Sequence, residues 1–285
     1  MKKSAILALL VMAVTATALA RPRPDKVVTY KTVDGNKLRL HIFNPPGHKP
    51  SDKAPAIVLF FGGGWISGGP GQFHRQAHYL ASRGMVAICP VYRTKKRHKT
   101  TPKECVKDGK SAIRWIRRHA GELGIDPNRI AAGGGSAGGH VAAAVATLKG
   151  FNEPGEDTSV SARPNALVLF NPVFDNGPDG YGHDRVKDYW KEFSPMHNID
   201  KSAPPTLVML GTEDQHLPVA TAEKYKRLME KAGVRCELRI YKGQRHGFFN
   251  FNRDKYYETL LEADRFLTSL GYLTGKPTLS SSKFH

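Results

Sequence analysis

Cysteine is scarce in this chain: Cys89, Cys105 and Cys236 are the whole complement in 285 residues. Three are too few for a disulfide scaffold, and their spacing makes no metal site. One bridge could form in an oxidising compartment, but nothing in the spacing chooses the pair. Acidic residues are also few, 25 Asp and Glu against 43 Lys and Arg, for a formal net charge of +18. Such a bias favours anionic surroundings, a uronic or sulfated polysaccharide or an envelope surface, and it raises local concentration more than it defines a site. Nucleic acid is the poorer match, because no recognition fold and no pattern of stacking aromatics accompanies the charge. Long apolar runs are missing as well. The run from Ala5 to Val14 is too short to span a bilayer. With Lys2 and Lys3 before it and Ala18-Leu19-Ala20 after it, residues 1–20 have the layout of a signal peptide cleaved after Ala20. No cysteine follows to take a lipid. The expectation is therefore an exported chain, periplasmic or extracellular, without a membrane span after cleavage. No linker or repeat interrupts residues 21–285, and about 265 residues suit a single large α/β domain.

What the chain does contain is an alternation of strand and helix patterns. Residues 27–30 and 38–43 alternate in strand fashion about Asp34-Gly35-Asn36, a hairpin signal. Residues 56–61 form a continuous apolar run between Pro55 and Gly62, as in a strand buried on both faces of a parallel sheet. Further strands are expected over 85–89, 130–132, 166–170, 206–210 and 236–241, and helices over 72–83, 137–148, 218–231 and 254–270. From Thr101, the residues Val106, Ile113, Ile116 and Ala120 recur at helical spacing, with Pro102 suited to the first turn. Lys103, Lys107, Lys110, Arg114 and Arg117 fall on the other side, and this basic stripe is expected to be a solvated face. Together these elements imply a mostly parallel sheet with helices on both faces, whose ligands collect at the carboxyl ends of the strands.

One segment carries the chemistry. Gly134-Gly135-Ser136-Ala137-Gly138 follows a short strand and opens a helix of small residues. This G-x-S-x-G arrangement is a nucleophile elbow, a sharp turn that presents a serine hydroxyl away from the backbone. Gly133, Gly135 and Gly138 also spell G-x-G-x-x-G, which could cradle a dinucleotide pyrophosphate. That reading wants an acidic residue about 20 positions on, at the end of the next strand. Glu153 instead lies in a loop-like stretch, and the next strand begins only near Ala166. Ser136 needs a base, and the base needs an orienting carboxylate. Asp214 follows the strand ending near Leu210, His246 follows the strand ending at Tyr241, and the order Ser, Asp, His is the one that accompanies this elbow.

With these residues the chain resembles the α/β-hydrolase superfamily, and within it the small carboxylesterases related to hormone-sensitive lipase and to bacterial acetyl-xylan and feruloyl esterases. The matching motifs are Gly62-Gly-Gly-Trp65, Asp126-Pro-Asn-Arg-Ile130, Gly134-Gly-Ser-Ala-Gly138, Pro204-Pro-Thr-Leu207, Gly211-Thr-Glu-Asp214 and His246-Gly-Phe248. The resemblance implies an α/β-hydrolase fold with a minimal cap, in which Pro172 to Ala203 is the only sizeable insertion. It implies a catalytic triad of Ser136, Asp214 and His246, an oxyanion hole from the backbone N–H groups of Gly63, Gly64 and Ala137, and Trp65 as a substrate-binding wall. One departure stands out: such families usually carry histidine just before the glycines as a brace for the loop, and here that place holds Phe61. His140 is expected to serve packing or hydrogen bonding, Asp108 to be structural, and Glu213 to stand as the rival of Asp214. No cofactor or metal is implied. The expected function is that of an exported serine esterase acting on short-acyl esters, on a small ester or an acylated glycan. An arylformamidase-like amidase is the second enzymatic reading, and an inactive hydrolase-fold binding protein is the reading from another class.

Overall fold

In the computed structural model residues 21–279 are described, and the signal-peptide reading of residues 1–20 lies outside them. β1 (Lys26–Val33) and β2 (Asn36–Phe43) pair antiparallel about Asp34 and Gly35, whose φ angles are 49° and 72°. Two successive left-handed residues let a two-residue turn follow the twist of its strands, so the hairpin forms where its turn chemistry points. β3 (Ala54–Phe60), β4 (Val86–Pro90), β5 (Ile125–Gly135), β6 (Ala166–Phe170), β7 (Thr206–Gly211) and β8 (Cys236–Tyr241) complete the sheet. Its order is β1-β2-β4-β3-β5-β6-β7-β8. β2 is antiparallel to both neighbours and every other pairing is parallel.

The helices divide between the two faces. α1 (His74–Ser82), α2 (Pro102–Arg118), α3 (Ala137–Thr147), α4 (Val219–Lys231) and α5 (Tyr256–Ser269) are the longer ones among the described residues. On β3, Ala56, Val58 and Phe60 join one core with Val106 and Ile113 of α2, Val141 of α3 and Tyr225 of α4. Ile57 and Leu59 point the other way, to a core shared with Leu80 of α1 and Leu260 and Phe266 of α5. The period of two along a strand thus feeds both layers. Burying each Leu- or Phe-sized side chain contributes about 1.5–3 kcal/mol, which offsets backbone ordering of about 1–2 kcal/mol per residue. All of α3 is buried, as its run of Ala, Gly and Val requires.

The basic stripe of α2 is only in part the solvated face its spacing predicts: Lys103, Lys107 and Arg117 stay partly exposed. Lys110 and Arg114 are buried. The Lys110 ammonium donates to the carbonyls of Leu148 (2.6 Å) and Gly150 (2.5 Å), and Arg114 donates to Val160 O (3.0 Å) and Asn152 Oδ1 (2.6 Å) while pairing with Glu156 (3.1 Å). Both tie α2 to the segment after α3. That segment leaves carbonyls without helical partners, and two long cations can satisfy them while their stems pack. Burial pushes the Lys110 pKa down to about 8.

Asp108, also on α2, is fully buried and accepts from Arg93 Nη2 (2.9 Å) and Lys31 Nζ (2.7 Å). Glu153 joins the same cluster through Arg93 (2.7 Å) and Lys31 (2.5 Å). The residue considered for a dinucleotide ribose is therefore committed to ion pairs far from the elbow in sequence. Cys89, Cys105 and Cys236 are all buried and free. No helix among the described residues is long and apolar enough to cross a membrane.

Candidate active site

Ser136 sits between β5 and α3 with φ 55° and ψ −123°, outside the ordinary helix and strand regions. A non-glycine residue held there costs about 1–3 kcal/mol. The turn is secured by its own backbone: Ser136 N–H donates to Phe170 O (3.0 Å), and Ser136 O accepts from His140 N–H (3.0 Å) and Val173 N–H (3.2 Å). Gly138 permits the crowding, since a Cβ there would run into the carbonyls of Phe60 and Phe61.

The sharp turn brings Ser136 Oγ to 2.9 Å from His246 Nε2. On the other side of the ring, Nδ1 lies 2.7 Å from Asp214 Oδ2. The Asp214 carboxylate is fully buried, and its other oxygen accepts the N–H groups of His216 (2.9 Å) and Leu217 (3.2 Å). An acceptor at Nδ1 places the ring proton there and leaves the Nε2 lone pair for the serine hydroxyl. Glu213 faces away, toward Arg245 at 3.5 Å, with both side chains more than half exposed. Of the two neighbouring acids, only Asp214 reaches the imidazole.

Gly63 and Gly64 line the same cleft as Ser136 and His246, a space of about 240 Å³. Gly63 has φ 121°, and a Cβ there would meet the Ser67 carbonyl, so the loop needs glycine at that point. Among the described residues the N–H groups of Gly63 and Gly64 donate to no protein acceptor, while Gly63 O accepts from Ile66 and Ser67. Ala137 opens α3, where a first-turn N–H has no acceptor within the helix. The three candidate oxyanion donors thus come from a left-handed loop and a helix start.

Phe61 cannot brace the glycine loop as a histidine would. It stacks on Tyr92, with ring centroids 4.0 Å apart and planes 8° apart, and the Tyr92 hydroxyl donates to the Phe61 carbonyl. The loop beyond is held by another route. Gly62 N–H donates to Gln72 Oε1 (2.6 Å), Gln72 Nε2 donates to Asn250 Oδ1 (2.9 Å), and Asn250 Nδ2 donates to Gly247 O (2.8 Å). The chain of amides joins the glycine loop to the histidine loop.

Trp65 is 1 % exposed and does not line the Ser136 cleft. It packs edge-on against His140 (5.1 Å, 88°) and borders a neighbouring cavity. His140 is fully buried, stacked on Phe193, with Nε2 donating to the Phe193 carbonyl at 3.2 Å. Burial pushes its pKa down to about 3, so the ring is neutral and acts in packing.

Six cleft residues carry no warning in the sequence reading: Gln72, Asn171, Tyr181, His216, Phe249 and Asn250. Asn171 Oδ1 accepts the Gly247 N–H (3.1 Å), and its Nδ2 lies 3.4 Å from His246 Nε2. Its position directly after β6, at a carboxyl strand end, is the one signal that could have marked it. His216 stands edge-on to His246, with ring centroids 4.8 Å apart.

A mostly parallel sheet, a serine elbow at its carboxyl edge and an imidazole between serine and carboxylate define one class of protein. The chain belongs to the alpha/beta hydrolase fold family, whose profile matches residues 57–250. It is 45% identical to esterase 2 of Thermogutta terrifontis, with a TM-score of 0.86 over 90% of this chain and 98% of that one. Structures of that esterase include a form phosphonylated by cyclosarin and forms with bound propionate and butyrate. Carboxylesterase NlhH of Mycobacterium tuberculosis is 30% identical over 80% of this chain and 77% of its own. An acetylxylan esterase of Xylanibacter ruminicola is 26% identical over 89% of this chain and 52% of its own. The chain spans about half the length of several curated relatives it matches.

Proposed function

We propose that this protein is a serine carboxylesterase that hydrolyses short-acyl esters through an acyl-enzyme, with Ser136 as nucleophile, His246 as proton shuttle and Asp214 as its orienting carboxylate. The observation that carries the reading is the unbroken contact from Ser136 Oγ to His246 Nε2 and from His246 Nδ1 to Asp214 Oδ2, at 2.9 and 2.7 Å. His246 takes the hydroxyl proton as Oγ attacks the ester carbonyl, and returns it to the departing alcohol. Water then repeats the sequence on the acyl-enzyme. The N–H groups of Gly63, Gly64 and Ala137 stabilise the oxyanion that develops in each step. Donors aimed at charge that appears only in the transition state are worth on the order of a hundredfold or more each.

The small cleft supports a short acyl group, and so do the propionate and butyrate bound in the Thermogutta esterase. The acetylxylan esterase relative and the basic charge support an acylated carbohydrate as the natural substrate, met after export of residues 21–285 as one domain. The test is hydrolysis of esters from acetyl to decanoyl together with acetate release from acetylated glycans. With little room to bury a tail, each added methylene should bring little of the roughly 0.8 kcal/mol that full burial provides. kcat/KM is expected to be highest from acetyl to butyryl. Ser136→Ala should abolish turnover, and an organophosphonate should label Ser136 in the wild type. Preference for long acyl chains with no acetate released from any glycan would overturn the substrate reading, and a label on another residue would overturn the nucleophile.

A further inference from the structure

Gly64 has two sides. One borders the Ser136 cleft, and the other borders a second cavity of about 360 Å³. Part of that cavity's wall is apolar: Trp65, Pro102 and Ile66, which at 43 % exposure is one of the few large hydrophobic side chains left open to solvent. The rest is cationic, from Lys95, Lys99 and Arg185. Some cations elsewhere on the surface sit beside acids, as in Lys226–Glu230, Arg239–Glu262 and Lys255–Glu258, and many others do not; what sets this wall apart is that three of them face one cavity. Among the described residues Lys95, Lys99 and Arg185 have no carboxylate within ion-pairing distance, although they share one wall. Of the acids close in sequence to this wall, Asp184 is exposed next to Arg185 and forms no ion pair with the three cations, and Glu104 is occupied by the Thr101 N–H (3.0 Å), the Thr101 hydroxyl (2.6 Å) and Lys107 (3.6 Å).

Arg185 is the most firmly placed of the three. Its Nη1 donates to Gly64 O at 2.6 Å, and its guanidinium lies 4.9 Å from the Trp65 ring and 5.1 Å from the Tyr181 ring. That single hydrogen bond leaves the other N–H groups of the fork unengaged within the described residues. Two further polar atoms belong to residues of the wall and are buried without a partner, Trp65 Nε1 and Thr100 Oγ1. Three like charges side by side repel one another, and an anion between them relieves the repulsion while the apolar wall accepts the face of a ring.

We infer that this cavity is a subsite for a carboxylate-bearing sugar of the substrate, so that the enzyme selects acyl esters of acidic glycans. The inference rests on the ester-hydrolase reading. Through the shared Gly64 wall, a sugar whose ester lies over Ser136 extends its neighbouring uronate residue onto the exposed Ile66, with the carboxylate facing Lys95, Lys99 and Arg185.

The experiment compares kcat/KM of the full chain on acetylated oligogalacturonate, acetylated xylo-oligosaccharide and para-nitrophenyl acetate, for wild type and for the double variant Lys95→Gln, Lys99→Gln. The wild type is expected to prefer the uronate substrate. In the variant the ratio of uronate to neutral kcat/KM should fall about tenfold, with the loss in KM rather than kcat. Rising ionic strength should erode the wild-type preference and leave the variant's ratio nearly level. An unchanged ratio, or an equal loss on both glycans, would overturn the subsite. Failure to hydrolyse any of the three esters would instead overturn the esterase reading. The subsite is then decided by calorimetric titration with unesterified trigalacturonate: binding weakened about tenfold in the variant sustains it, and equal or absent binding in both proteins removes it.

Discussion

Asp214 and Glu213 are adjacent, both acidic and both at the end of β7, yet their surroundings are opposite. Asp214 is buried against the imidazole with its second oxygen on two backbone N–H groups, while Glu213 lies in solvent beside Arg245. Only the residue bonded to Nδ1 controls which tautomer His246 adopts. Asp214→Asn is therefore expected to cut kcat by up to about 10⁴-fold, whereas Glu213→Gln should change it less than about twofold, because an exposed ion pair contributes little. Rate constants for the two variants on one chromogenic acetate check this, and the reverse order would transfer the role.

Among the elements, the glycine loop after β3 depends on partners that come from far along the chain. Gln72 receives the Gly62 N–H and hands the contact to Asn250, 178 residues away, which holds Gly247. One side chain thus spaces the glycine loop against the histidine loop. Gln72→Ala leaves the buried Gly62 N–H without an acceptor and lets the two loops separate. The expected result is a fall in kcat of about 10–100-fold, the scale of a lost or misplaced oxyanion donor, with KM changed far less and thermal stability changed little. Gln72→Glu keeps an acceptor for the Gly62 N–H and loses the donor to Asn250, so it is expected to recover part of the lost kcat; equal losses in both variants would not fit this role. The α2 helix teaches the same lesson about long-range partners. Its Lys110 and Arg114 look like surface charges by spacing, and they are buried because the segment following α3 presents carbonyls to them.

At the scale of the whole molecule, buried histidines set the response to acid. Burial pushes the pKa of His140 down to about 3 and that of His74 down to about 4, in His74 with the neighbouring His41 adding to the effect. An unfolded histidine binds its proton near about pH 6.5. Between that pH and the depressed folded values the unfolded chain holds more protons, so stability is complete above the unfolded value and is lost as pH falls through the window. Glu153 extends the loss further down: burial works to raise its pKa, but the hydrogen bond and charge of Lys31 and the charge of Arg93 outweigh it, and the net shift is downward. The denaturant midpoint is expected to be lower at about pH 5 than at about pH 7.5, and His140→Asn should flatten that slope even if it lowers stability throughout. Midpoints that do not change across the window would contradict the account.

The strands, the hairpin, the elbow and the order of Ser136, Asp214 and His246 were legible in the sequence because each rests on local chemistry. Alternation or continuity of apolar residues marks a strand, consecutive left-handed residues mark a tight turn, and small residues about a serine mark a strand-to-helix elbow. What the linear pattern could not decide is anything that depends on which distant segments face each other. The choice of Asp214 over Glu213 is made by the path of the loop after β7. The brace on the glycine loop joins Gln72 to Asn250. The burial of Lys110 and the withdrawal of Trp65 behind the cleft follow from carbonyls and rings contributed by other elements. Side-chain identity sets what a residue can do at close range, and the tertiary fold alone supplies the partner, the distance and the exclusion of water that determine whether it does so.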